Sequence, residues 1–313
     1  MDTRHLIDPE LLPLLELMPT AQFNAETLPL IRQMSEARFD FLGDPELKPV
    51  IKVIDGPGGP LDICWYDPAP GSTGRGALLH IHGGGMVIGS ARSMQHGPAA
   101  MAKALGIPIA SVDYRLAPEH PFPAPQEDCL AALCWLAAES GALGVDPARI
   151  AVIGESAGGG LAAAVALMAR DTGGPPLAAQ LLIYPMLDHR TGGPDCPYAN
   201  AATGEFVWTR ASNGFGWGAL QGNYAINDHR KGWFSPSRAD DLAGLPPTWI
   251  GTGSMDLFLD EDFDYARRLV SAGVPLELHS YAGAPHAFQL VAAAQATQAF
   301  YRDLLGAISR MLG

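Results

Sequence analysis

From about residue 50 onward, short runs of apolar and β-branched residues alternate with longer stretches whose apolar positions recur at helical spacing. The runs are LDICWYD (61–67), ALLHIHG (77–83), IPIASVDY (107–114), RIAVIGE (149–155), QLLIYP (180–185), TWIGTG (248–253) and LELHSY (276–281). Between them lie the helix-like stretches SMQHGPAAMAKAL, PQEDCLAALCWLAAES, AGGGLAAAVALMARD and DEDFDYARRLVSAG, and ATQAFYRDLLGAISRML follows the last run. Buried runs alternating with helices predict βαβ units on a mainly parallel sheet, an α/β class fold. In such sheets functional groups gather at the carboxyl ends of the strands.

Two segments break the rhythm. Residues 1–45 hold helical fragments (LLPLLELM, AETLPLIRQMSEARFDFL) ahead of the first run, and residues 190–235 are rich in Gly, Asn, Trp and Phe. Long irregular insertions at the active edge of a sheet are usually functional. The two segments are expected to form a cap over a catalytic domain spanning 46–313.

Composition narrows the function classes. The chain has 313 residues, 48% of them hydrophobic and 17% charged, enough to bury a large core. Its formal net charge of -13 argues against nucleic acid or an anionic membrane surface as a partner, since both want clustered Lys and Arg. The opening residues MDTRHLIDPE lack the apolar run of a signal peptide, and no stretch reaches the ~20 apolar residues of a membrane span. Four cysteines (Cys64, Cys129, Cys134, Cys196) form no C-x-x-C pattern; Cys129 and Cys134, in an Ala/Leu-rich stretch, read as small core residues. A reducing compartment, the cytoplasm, is the expected location.

The chemistry concentrates at the ends of the runs. Gly154-Glu155-Ser156-Ala157-Gly158 stands between a run and a helix, the strand–turn–helix context of a nucleophile elbow. The helix that begins at Ala157 points its positive end at the serine. His82-Gly83-Gly84-Gly85 follows ALLHI, and glycines there leave backbone N–H groups free for a developing oxyanion. The expected donors are Gly83, Gly84 and Ala157. A phosphate cradle is the rival reading, but no G-K-[S/T] follows and no lysine is near.

A serine nucleophile needs a base and an orienting acid. Of nine histidines, His286 lies in the loop between the last run and the last helix. Asp256 follows TWIGTG and completes the chain order Ser, Asp, His of one hydrolase class. Asp260 is the fallback acid; Glu261, Asp262 and Asp264 open the next helix, where the helix dipole ordinarily stabilises acids.

With HGGGMVIGS (82–90), DYRLAPEHPFPAP (113–125), GESAGGGLA (154–162), GSMDLFLDED (254–262) and PHAF (285–288), the chain resembles the hormone-sensitive lipase family, the bacterial family IV carboxylesterases of the α/β-hydrolase superfamily. The resemblance implies an α/β-hydrolase fold with a helical cap and a catalytic triad of Ser156, Asp256 and His286. It also implies scaffold roles for Asp113, Arg115 and Glu119, and a homodimer as an assembly to test. Glu155 stands where many members carry Asp or Thr, and Met86 where an aromatic is common, which makes the pocket more adaptable. Met86, Phe206 and Trp208 are the expected substrate-binding residues, with ordinary packing of the cap as the open alternative for the last two.

The implied reaction is hydrolysis of short to medium acyl-chain esters through an acyl-enzyme, with water as the second substrate and no metal or organic cofactor. Two rivals remain at this point. One is an amidase or deacetylase on the same triad; the other is a non-catalytic small-molecule receptor, a type that typically loses the histidine.

Overall fold

The computed structural model of the protein describes residues 2–41 and 44–313, so Met1, Leu42 and Gly43 of the expected cap lie outside the described residues. Its strands are β1 (Val50–Gly56), β2 (Gly59–Tyr66), β3 (Arg75–Ile81), β4 (Ile109–Val112), β5 (Val145–Glu155), β6 (Ala179–Ile183), β7 (Thr248–Gly253) and β8 (Leu276–Tyr281). They form one eight-stranded sheet in the order β1-β2-β4-β3-β5-β6-β7-β8. β1 and β2 pair antiparallel, as do β2 and β4; from β4 to β8 every neighbour is parallel.

The helices are α1 (Pro13–Leu17), α2 (Leu28–Phe41), α3 (His96–Leu105), α4 (Ala124–Ala138), α5 (Ala157–Thr172), α6 (Arg210–Gln221), α7 (Lys231–Phe234), α8 (Leu259–Ser271) and α9 (Gln295–Leu312). Side-chain alternation along the strands feeds two cores. On β5, Ile150 and Val152 join a cluster with α4, α5 and α8, whereas Ala151 and Ile153 join one with α3 and α9. The sheet is thus the middle of three layers.

Each apolar run of the sequence lies in or overlaps one of the strands β2 to β8. β1 was not singled out, and its surroundings explain why: Val50, Ile51 and Val53 are exposed on this edge strand, so no buried run marks it. A helix also forms inside 190–235, where the local pattern reads as irregular chain and the family resemblance implies helix. α6 carries three interior glycines, but Thr209 caps it by accepting from the Ser212 N–H, and it buries Asn213, Gly216, Trp217 and Leu220. Tertiary burial here outweighs weak helix propensity.

The core assignment for Cys134 is corrected. Cys129 is buried and Cys134 is exposed, because five residues along a helix turn the second thiol to another face. All four cysteines are free. Among the described residues, no helix is long and apolar enough to cross a membrane.

The packing gives a direct test. Leu79, fully buried on β3, faces the α4/α5 core. Leu79→Ala is expected to lower the unfolding free energy by about 2–5 kcal/mol, read as a lower urea midpoint at unchanged slope.

Candidate active site

Ser156 is the hinge between β5 and α5, with φ 57° and ψ −121°. Two bonds hold this left-handed backbone: its N–H donates to the Ile183 carbonyl at 2.9 Å, and its carbonyl accepts from Met186 N–H at 3.0 Å. Gly158 is obligatory beside it, because a Cβ there would collide with the carbonyls of Ile81 and His82. That close approach presses the first turn of α5 against the glycine turn that follows β3.

The loops after β7 and β8 bring in the partners of the serine. Ser254 N–H donates to the Tyr281 carbonyl, Met255 N–H to Ala284, and Gly283 N–H to the Ser254 hydroxyl, so the two loops are locked together. His286 Nε2 then lies 2.9 Å from Ser156 Oγ, and its Nδ1 lies 2.7 Å from Asp256 Oδ2. The other Asp256 oxygen accepts from Phe258 N–H at 3.0 Å, so both carboxylate oxygens are engaged. Asp256 is fully buried, and Ser156 and His286 are each 6% exposed. The imidazole is boxed by Tyr184 and Phe258, with ring centroids at 4.7 and 5.4 Å.

The structure brings Ser156, Asp256 and His286 into one hydrogen-bonded line; among the described residues, the fallback acid Asp260 makes no hydrogen bond to it. Glu261 and Asp262 lie in the first turn of α8, as read from the sequence, and are drawn into the core. Both are fully buried, and burial pushes both carboxyls well above the usual range. Glu261 instead accepts from Leu187 N–H at 2.7 Å and from the Thr191 hydroxyl. Nothing in a lone carboxylate at a helix start signals such burial.

At the glycine turn, Gly84 has φ 117°, and a Cβ there would strike the Ile88 carbonyl. The N–H groups of Gly84 and Ala157 donate to no acceptor among the described residues. The Gly83 backbone N–H lowers the Glu155 carboxyl pKa, after larger contributions from His80 and His82. Burial opposes the Glu155 charge, yet His80, foremost by its charge and then by its hydrogen bond at 3.1 Å, brings the net pKa below its usual value. Ser111 lies 2.8 Å from the other ring nitrogen of His80. His80 lies within the run ALLHIHG, where nothing local signals this partner.

Of the expected substrate-binding residues, Met86 is 1% exposed, with φ 64°, beside the glycine turn. Trp208 lies over Gly85 and 6.5 Å from the His286 ring; Phe206 is half-buried and packs on the α3/α9 side. The two expected cap segments meet each other here. Thr3 donates to Glu205, Ser212 to the Ala21 carbonyl, and Phe23 packs edge-on against Trp208 at 5.3 Å.

Arg32 on α2 ties the first segment down to the glycine turn. Its guanidinium donates to the Val87 and Ala117 carbonyls and grips Glu119 with two bonds. The Arg32 hydrogen bonds are the largest cause that lowers the Glu119 carboxyl to about 2. A depressed carboxyl pKa adds stability above its unfolded value and loses it as the pH falls toward the folded value. The stability gap between wild type and Arg32→Met should therefore narrow from pH 5 toward about 2, by no more than about 1 kcal/mol at this exposed pair. Urea midpoints across that range measure it.

Comparison with known proteins agrees with this architecture. The family profile described as the alpha/beta hydrolase fold matches residues 78–290. Esterase LipI of Mycobacterium tuberculosis is 37% identical over 285 residues, covering 89% of this chain and 87% of the relative. Carboxylesterase NlhH of the same organism is 37% identical over 314 residues, covering 93% of each. Among solved structures, a bacterial heroin esterase superposes with a TM-score of 0.92 at 37% identity, covering 99% of both chains. The chain therefore belongs to the α/β-hydrolase superfamily and, within it, to the hormone-sensitive lipase-like family IV esterases.

Proposed function

We propose that the protein is a carboxylesterase that hydrolyses short to medium acyl-chain esters through a Ser156 acyl-enzyme. The observation that carries this reading is the hydrogen-bonded line from Asp256 through His286 to Ser156, 2.7 and 2.9 Å long, beside the Gly84 and Ala157 N–H groups, which donate to no acceptor among the described residues. His286 takes the Ser156 proton as the hydroxyl attacks the ester carbonyl, while Asp256 holds the proton on Nδ1 and stabilises the imidazolium. The tetrahedral oxyanion is received by Gly83, Gly84 and Ala157, with the positive end of α5 behind the last. Collapse of the tetrahedral intermediate expels the alcohol, protonated by His286; water then attacks the acyl-enzyme with His286 again as base, and the acid leaves.

The segments 1–45 and 190–235, through their described residues, act as the cap of this site. Their mutual contacts through Phe23, Trp208 and Glu205, and the Arg32 anchor, support that role. Met86, Phe206 and Trp208 face substrate under it. Exposure of only 6% at Ser156 suits small esters, with acyl chains of roughly two to eight carbons. Exposed Cys134 and its free companions support a cytoplasmic location.

Hydrolysis of p-nitrophenyl butyrate without added metal tests the reading. Turnover is expected in the wild type and lost in Ser156→Ala. Asp256→Asn keeps the shape and is expected to reduce kcat by roughly 10³- to 10⁴-fold. A p-nitrophenyl ester series is expected to peak at or below about eight carbons, and a peak at markedly longer chains would overturn the size assignment.

A further inference from the structure

Trp208 occupies a position that ordinary packing of a cap does not require. Its six-membered ring lies on Gly85, at the end of the glycine turn, where any Cβ would collide with the indole. Behind the ring, a Cβ at Gly216 on α6 would strike the Gly85 carbonyl at 2.8 Å, so α6 packs directly on the turn that the indole covers. The ring also tilts at 35° toward His286, with centroids 6.5 Å apart. A side chain that covers the glycine turn and stands 6.5 Å from the His286 ring borders the site itself.

The ring is also fixed in orientation. Its Nε1–H donates to Asn213 Oδ1 at 3.2 Å, and Asn213 Nδ2 donates to the Thr191 carbonyl at 2.7 Å. The Thr191 hydroxyl bonds Glu261, whose second oxygen accepts from Leu187 N–H at 2.7 Å. Asn213 and Glu261 are fully buried and Thr191 is 4% exposed. Each link is shielded from water, where a hydrogen bond is costly to leave unmade. The line starts on α8, two residues into the helix that follows the Asp256 turn, and ends on the indole over the site.

We propose that Trp208 is the wall that limits the size of the ester this site accepts, and that Asn213, Thr191 and Glu261 are positioning residues that set the angle of that wall. The assignment rests on the carboxylesterase reading above. It makes Glu261, an acid outside the triad, part of substrate selection rather than of proton transfer. Removing the wall admits longer chains, and loosening the line lets the indole swing and admits them in part.

The test is the ratio of kcat/KM for p-nitrophenyl octanoate to that for the acetate, with a parallel series of acetate esters of increasing alcohol size. Trp208→Ala is expected to raise the large-to-small ratio in at least one series by about tenfold or more, since one methylene in a fitted pocket is worth that order. Thr191→Val removes only the hydroxyl and is expected to move the same ratio by a smaller factor, whereas Thr191→Ser restores it. Trp208→Phe keeps an aromatic ring and loses the N–H; it covers the case in which the alanine variant fails to fold. Active variants whose ratios stay within about twofold of wild type in both series, at acetate rates like wild type, would overturn the inference alone. A folded wild type inert toward every ester would bring down the carboxylesterase reading together with this inference.

Discussion

The backbone of Ser156 is the constraint around which the rest of the molecule is arranged. A non-glycine residue at φ 57° and ψ −121° lies outside the comfortable regions and costs of order 1–3 kcal/mol. It persists because its neighbours leave no alternative. β5 is paired on both sides, and α5 buries every residue from Ala157 to Ala169. The approach of Gly158 to the carbonyls of Ile81 and His82 admits no side chain. The same approach holds the start of α5 against the glycine turn after β3, so the strain at Ser156 and the contact of these two turns are one packing arrangement.

Carboxyl groups around this elbow show how environment separates one residue type into several roles. Asp256 has both oxygens engaged, by His286 and by a backbone N–H. Glu155, one residue from the serine, is kept ionised against burial by His80. Among the described residues, Glu261 and Asp262 have no basic partner of that kind, and burial drives them toward the neutral form. Glu119 lies at the surface and owes its low pKa to Arg32. Sequence position alone does not separate these cases, because each depends on which cation, N–H or apolar wall arrives from a distant part of the chain.

The cap segments follow the same logic. Neither is strongly periodic, and each is held by contacts with the other and with the turn after β3. Arg32, Phe23 and Thr3 lie early in the chain, yet their partners are Val87, Trp208 and Glu205. Such long separations explain why the local pattern around residues 1–45 and 190–235 was weak while the contacts are specific.

The sequence by itself determined the α/β class, the strands from β2 onward, the elbow context of Ser156 and the placement of Asp256 and His286 just past strand ends. Those signals are local: a buried run, a helical period, a glycine where the chain must turn sharply. Edge strand β1 escaped because a half-exposed strand has no buried run, and Cys134 was misread because helix phase, not composition, decides which thiol faces water. Only the tertiary structure decided the 2.9 Å approach of His286 to Ser156, the burial of Glu261 and its line to Trp208. Those distances come from packing between segments more than a hundred residues apart or from side chains turned inward by their neighbours, and no local pattern in the chain encodes them.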